Sequence, residues 1–309
     1  MNYADFCEKK KFSEFYLIPA LKDIGQNKKA DNLKYCGDFK DVAICEDCFT
    51  QYFDKVYYCR DRFCPVCNKA RSLLWYSKLQ GILPKILSSC KDYKLDLITF
   101  TIKSTKTLKE GVDTLLKAFR YMMHDEKGIA KKFNEIYIGG LRALEVKRGS
   151  ICNDWHPHFH VLCIKKGKGN NFEFLEHAWN HSVNVVTNMP GKLGSVDVKF
   201  LQHDINKGIR ETVKYLTKSS FEAKQGNVVI NNNDLSEMIK VLKGVRSLTA
   251  WGCLRFYLSE ISVENDLSLS NQEQEQHCCK YCGCNDFVTL EKQYLRHMVL
   301  EDFEDSNVS

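Results

Sequence analysis

The 309-residue chain has no apolar run approaching the roughly 18 residues that a membrane span requires, so no membrane-spanning segment is expected. Its first residues, MNYADFCEKKKF, hold no signal-peptide core. The expectation is a soluble, cytoplasmic protein with no membrane partner. Internal repeats are also missing, which sets repeat architectures aside. Without a secretory signal, the 15 cysteines are poorly explained by a disulfide framework, and metal binding or reduced thiols account for them better.

A hydrophobic content of 44% fills a real core, in one large domain or a main domain with appendages. The net charge of +6 is unevenly placed. From Glu260 onward eleven acids face Lys280, Lys292 and Arg296, a balance of −8, which leaves residues 1–259 at +14. A basic body with an acidic tail points to a polyanionic partner, although a solvated surface with a charged tail explains charge alone equally well.

Periodicity supplies the element order. NKARSLLWYSKLQGILPKIL reads as a helix until Pro84, and DLITFTIKS, 96–104, alternates and is rich in β-branched residues, as strands are. An amphipathic helix, TLKEGVDTLLKAFRYMMH, follows. EIYIGGLRALEVKR, 135–148, and PHFHVLCIKK, 157–166, read as two strands of a hairpin. A helix over 172–183, a short strand SVDVKF and a helix KGIRETVKYLTKSS complete the order, while 225–234 reads as a loop. This succession fits an α+β domain, an antiparallel sheet with helices on one face. The expected domains are an N-terminal region with a Cys-rich module, 1–90; the main α+β domain, 91–260; a polar linker, 261–276; and a Cys-rich acidic tail, 277–309.

NDWHPHFHVLCIKK carries histidines at every second position, so His156, His158 and His160 would share one face of a strand while Phe159, Val161 and Cys163 share the other. Imidazoles two residues apart converge on one point above a sheet. Two of them do not fill a coordination shell, and Glu145, on the hairpin partner, is the candidate third ligand. A carboxylate with two imidazoles leaves positions for water and phosphate oxygens, as Mg²⁺ or Mn²⁺ requires. Alone, Glu145 would read as an exposed strand carboxylate. His156 stays open, because Pro157 is able to break the register.

Cys45-x₂-Cys48 and Cys64-x₂-Cys67, fifteen residues apart, have the spacing of a structural Zn²⁺ site with two thiolates from each knuckle. Cys36 and Cys59 lie close by. In the tail, His277, Cys279, Cys282 and Cys284 are ligand types at finger-like spacing, with a register confused by Cys278. In RETVKYLTKSS, Glu211 and Tyr215 are four apart and share a helix face, with about 6 Å of rise between them. On an arbitrary helix, such a pair is a packed aromatic and a surface glutamate.

The motif His158-Phe159-His160, preceded by DLITFTIKS and followed by ETVKYLTK, resembles the HUH endonucleases. With HPHFH and CRDRFCPVC in that order, it resembles more narrowly the replication initiator (Rep) proteins of rolling-circle plasmids, over roughly residues 36–220. The resemblance implies an RRM-like sheet with the metal ligands on central strands and Tyr215 as nucleophile. It also implies a metal-dependent, sequence-specific nick of single-stranded DNA that leaves a 5′-phosphotyrosine and a free 3′-hydroxyl. Glu211 falls where the family places the residue that activates water for the terminating cleavage. Likeness in the cysteine segment rests on Cys36, Cys59, Cys64 and Cys67, whereas spacing favours Cys45, Cys48, Cys64 and Cys67. The implied partners are plasmid origin DNA, single-stranded at the nick or presented as a hairpin, and a host helicase and polymerase, with room for a homo-oligomer. Competing readings are an HUH transposase or relaxase, and a non-catalytic zinc-dependent nucleic-acid-binding regulator.

Overall fold

A computed structural model describes residues 3–38, 41–53, 56–125, 128–149, 153–167, 171–201, 205–217, 223–224, 227–228, 230–259, 279 and 282–291. In chain order the elements are α1 (Tyr3–Phe12), a π-helical turn (Ser13–Leu17), α2 (Ile18–Asp23), α3 (Asn27–Lys34), β1 (Asp41–Cys45), β2 (Gln51–Phe53), α4 (Pro65–Ser88), β3 (Tyr93–Ile102), α5 (Leu108–His124) and α6 (Ile129–Ile136). There follow β4 (Tyr137–Arg148), β5 (Trp155–Lys166), α7 (Phe172–Thr187), β6 (Gly194–Leu201), α8 (Ile205–Thr217), β7 (Ala223–Lys224), β8 (Asn227–Val228), α9 (Asn232–Val241), β9 (Leu248–Trp251), α10 (Gly252–Ser259) and β10 (Phe287–Glu291).

The chain divides into two compact units, Met1–Ala70 with Val263–Ser309, and Arg71–Ser262. This differs from the four successive segments expected. Within the expected tail, β10 pairs antiparallel with β1, Cys45 opposite Phe287 and Asp41 opposite Glu291. β2 flanks β1 on its other side. The expected linker, 261–276, lies outside the described residues.

The second unit is built on a five-stranded antiparallel sheet in the order β6-β3-β5-β4-β9. Alternation along β5 sends Phe159 and Val161 into an aromatic core, where Phe119 of α5 meets Phe159 at 5.4 Å and Phe100 at 5.8 Å between ring centroids. Trp179 of α7 packs on Phe100 at 5.0 Å, and Trp251 of β9 meets Phe119 at 5.9 Å. α5 starts at the N-cap Thr107, whose hydroxyl accepts from the Glu110 N–H. Half-buried Arg142 lies on this same core face, its guanidinium 4.3 Å from the Phe159 ring centroid. Burial, with Arg120 adding repulsion, brings its pKa down to about 10. Gly140 faces Trp251 closely enough that a β-carbon would meet the ring, with Cζ2 at 2.8 Å, and the Leu162 carbonyl. Gly140→Ala is therefore expected to destabilise the unit by about 1–3 kcal/mol, seen as a lower urea midpoint at unchanged slope.

The expectation of helices on one face needs correction. α8 lies across the opposite face: a β-carbon on Gly208 would stand 2.5 Å from Leu201 Cδ1 and 3.5 Å from Leu162 Cδ1, and Leu162 shares its face with His158 and His160. The amphipathic pattern of α8 requires this second cover, since Ile209, Thr212 and Val213 are buried. α4 runs alongside, with Gln80 hydrogen-bonded to Asn206 at 3.0 Å and the Ser72 hydroxyl donating to the Val213 carbonyl at 3.3 Å. α4 also continues past Pro84 to Ser88, where a stop was expected. A proline inside the helix costs a backbone hydrogen bond, and burial of Leu83 and Ile86 on either side offsets it.

Short elements that escaped the sequence reading include α6, α9, β9 and α10. α9 has a clear role. Its Glu237 accepts from Trp155 Nε1 at 2.8 Å and from the Leu108 backbone N–H at 2.7 Å, while Asp234 pairs with Arg148. Those bonds fix the loop end of the β4–β5 hairpin, on which the site below depends.

Candidate metal centre

β4 and β5 are long, continuous and central, and their register sets Glu145 opposite His158 and Ala143 opposite His160. Residue 157 stays in register, with Pro157 opposite Val146, so His156 remains on the face of His158 and His160. That face is lined on β3 by Thr99, opposite His160, and Thr101, opposite His158. Together these residues and Lys147 border a pocket of about 280 Å³.

The two imidazoles turn the same nitrogen inward. His160 Nε2 is 2.9 Å from Glu145 Oε2, and His158 Nε2 contacts that same oxygen. Ligand atoms of the three residues all fall within 4.8 Å of one another, and all three side chains are buried. The outer nitrogens have partners of their own. His158 Nδ1 lies 3.2 Å from the His156 carbonyl, which only accepts, an arrangement suited to the tautomer that ligates a metal through Nε2. His160 Nδ1 lies 3.2 Å from the Thr99 hydroxyl. Such outer hydrogen bonds fix ring orientation, as they do in metal sites generally.

His156 does not converge with the other two. Its Nδ1 is 3.1 Å from the Ser104 hydroxyl. Burial is the main cause that holds its pKa below the ordinary histidine value, with repulsion from His158 and Lys147 acting the same way and Glu145 opposing. A neutral imidazole beside the cluster adds no positive charge to it. Sequence reasoning missed Thr99, Ser104 and Lys147, although the alternation of DLITFTIKS puts Thr99 and Thr101 on one face of their strand.

Glu211 and Tyr215 belong to α8, the helix on the metal-ligand face. Glu211 is partly exposed and ion-paired with Lys214. The side chain of Tyr215 lies outside what is described; its backbone belongs to the last turn of α8.

The cysteines form two clusters, and they are not grouped as bare spacing suggested. Cys64 and Cys67 converge with Cys36 and Cys59, whereas Cys45 and Cys48 converge with Cys279 and Cys282. The two sequence-adjacent knuckles therefore do not share one site. The reason is local: Cys64 and Cys67 open α4, while Cys45 ends β1 next to β10. In the first cluster Cys36 Sγ is 3.4 Å from both Cys64 Sγ and Cys67 Sγ, and Cys59 Sγ is 3.7 Å from Cys67 Sγ. Backbone N–H groups of Cys59 and Arg60 donate to Cys36 and Cys67 sulfurs at 3.4 and 3.2 Å. Crowding splits the thiols. Hydrogen bonds from Cys36, Cys59 and Cys64 push the Cys67 pKa down, while Cys36, Cys59 and Cys67 push Cys64 up. Four sulfurs, largely buried and free of disulfides, have the closed donor set of structural zinc. Cys284 is not one of the four converging ligands, its Sγ accepting from the Asp286 N–H at 3.2 Å, and His277 is outside the described residues.

The profile of the Rep_1 family, described as "Replication protein", matches residues 51–294. The chain belongs to this family. The resemblance to plasmid replication initiators drawn from His158, His160 and the cysteine segment thus holds at the level of the family. Among relatives, "Protein rep" of Streptococcus pneumoniae is 25% identical over 224 residues, 68% of this chain and 66% of that protein. "Protein rep" of Staphylococcus aureus is 25% identical over 225 residues, 71% of this chain and 94% of the relative. The Lactiplantibacillus plantarum "Protein rep" is 23% identical over 297 residues, covering 91% and 87% of the two chains. No solved structure matches. Among the described residues, no helix is long and apolar enough to cross a membrane.

Proposed function

We propose that this Rep_1 member initiates rolling-circle replication of a plasmid as a metal-dependent nickase and strand transferase acting on single-stranded origin DNA. The observation that carries the reading is the convergence of Glu145, His158 and His160 on the floor of an open pocket. The donor set fits Mg²⁺ or Mn²⁺: one carboxylate oxygen and two imidazole nitrogens, each imidazole held from behind, with solvent-facing room for phosphate oxygens. In this reading the five-stranded sheet is the RRM-like platform of an HUH endonuclease, and Cys36, Cys59, Cys64 and Cys67 hold a structural Zn²⁺.

When bound, a divalent ion polarises the scissile phosphate and offsets the charge that builds up in the transition state. Tyr215 supplies the attacking phenol oxygen. Its bond to phosphorus forms as the bond to the 3′-oxygen breaks, the phenol proton is released, and a 5′-phosphotyrosine and a 3′-hydroxyl result. Support for this assignment comes from α8, which crosses the same sheet face as the ligands. Lys147, on the pocket rim, is placed to meet a phosphate. Host polymerase and helicase would act from the freed 3′-end.

The test is an origin-hairpin oligonucleotide incubated with the protein and Mn²⁺. A denaturation-resistant protein–DNA adduct mapping by mass spectrometry to Tyr215 is expected; an adduct on another residue, or none, overturns the proposal. Glu211 is the proposed base for the resolving water, freed by release of Lys214. Glu211→Ala is expected to leave first-strand nicking within about threefold of wild type while termination falls about 100-fold or more. Equal loss of both steps would refute the division of labour.

A further inference from the structure

The cluster of Cys45, Cys48, Cys279 and Cys282 is not explained by nicking chemistry or by the family signature in CRDRFCPVC. Its two halves come from distant parts of the chain, Cys48 and Cys279 being 231 positions apart. Yet they are built alike. In the first half, the Phe49 N–H donates to the Cys45 carbonyl at 3.0 Å and the Cys45 N–H to the Thr50 carbonyl at 3.0 Å. In the second half, the Gly283 N–H donates to the Cys279 carbonyl at 2.8 Å and the Cys279 N–H to the Cys284 carbonyl at 2.6 Å. Both pairs span the same number of residues. The residue after the second cysteine is left-handed in each, Phe49 at φ 56° and Gly283 at φ 78°. For a phenylalanine that conformation is strained, and it persists only where the surroundings over-determine it.

The sulfurs are arranged to match. Cys45 Sγ and Cys282 Sγ stand 3.5 Å apart, Cys48 Sγ and Cys279 Sγ 3.4 Å, and all four lie within 4.8 Å of one another. Sulfurs about 2.3 Å from one tetrahedral zinc are about 3.8 Å apart. A disulfide requires about 2.05 Å, far shorter than any of these contacts. Outer-shell partners are present as well: the Thr50 hydroxyl is 3.1 Å from Cys48 Sγ, and the Tyr52 hydroxyl is 3.2 Å from Cys279 Sγ.

We propose that these four cysteines form a second Zn²⁺ site, separate from the Cys36 cluster, which closes a split zinc ribbon from β1, β2 and β10. The metal is structural, since all four positions of the tetrahedron are filled by protein thiolates. It fastens the acidic tail to the N-terminal unit, and neither knuckle is complete alone. The proposal does not depend on Tyr215 or on the Glu145 centre.

Zinc content of the full-length protein tests it, measured by mass spectrometry of the metal in a His158→Ala/His160→Ala background so that the imidazole cluster takes none. About two ions per chain are expected. Cys279→Ser/Cys282→Ser should lower this to about one, Cys45→Ser/Cys48→Ser should lower it equally, and the fourfold variant should lose no more than either. Undiminished zinc in Cys279→Ser/Cys282→Ser, or additive losses from the two pairs, would overturn the shared site. Thiol alkylation of the wild-type protein avoids any folding defect of the variants. Cys45, Cys48, Cys279 and Cys282 should be protected together and become reactive together when a chelator removes zinc. Exposed Cys48 and Cys282 reacting at the same rate with and without zinc would refute the site.

Discussion

Tyr215→Phe is expected to lower formation of the covalent protein–DNA adduct by at least about 1,000-fold while leaving affinity for the origin oligonucleotide within about twofold. The substitution removes one oxygen and keeps the ring, so the packing of the last turn of α8 is preserved as far as any change there allows. The magnitude follows from the role: with no phenol oxygen there is no phosphotyrosine, and residual cleavage requires water in its place. Denaturing electrophoresis of a labelled oligonucleotide reads the adduct, and a gel shift under non-cleaving conditions reads binding. Adduct formed at the wild-type rate would remove Tyr215 from the chemistry. Loss of both adduct and binding would assign it to DNA recognition instead.

Glu145→Gln is expected to weaken Mn²⁺ binding about 100-fold or more and to reduce nicking in parallel at subsaturating metal. Glutamine keeps the shape but not the charge, and its amide cannot replace a carboxylate between two imidazole nitrogens. The substitution is cleaner than His158→Ala, which would leave the buried Glu145 carboxylate short of a partner and cost about 1–3 kcal/mol of stability in addition. Thermal unfolding provides a readout independent of DNA. Mn²⁺ at about 100 times its dissociation constant stabilises a binding-competent fold by about 2.7 kcal/mol. The wild-type melting temperature should rise on adding Mn²⁺ and that of Glu145→Gln should not. An equal rise in both would place the ion elsewhere.

The hairpin and its histidines were legible because alternation over ten residues or more in β3, β4 and β5 fixes both strand and face, and a face fixes which side chains meet. Glu145 could be matched to His158 because a short loop leaves few registers. Helix α8 was legible as a helix, but which face of the sheet it covers depends on Leu162, Leu201 and Gly208 meeting across the fold, and nothing local to α8 encodes that. β9 is four residues long, too short to show a period, and exists by pairing with β4. The cysteines failed for the opposite reason. Cys64-x₂-Cys67 and Cys45-x₂-Cys48 looked like partners because they are neighbours in sequence, whereas the partner of Cys45 lies 237 residues away, at Cys282. Cys279-x₂-Cys282 finds the pair that completes it in Cys45-x₂-Cys48, far away in sequence.

The pairing of β1 with β10 also imposes an order of events during synthesis. When Asp41–Cys45 leaves the ribosome, one side of the strand can fold against Gln51–Phe53, but the other side must wait until Phe287–Glu291 is made. An unpaired edge is a template for mispairing with other chains. A nascent or prematurely terminated polypeptide that lacks Phe287–Glu291 thus carries an open flank on β1. Messages truncated before codon 287 should accordingly yield aggregates or proteolysed fragments rather than a shortened working protein.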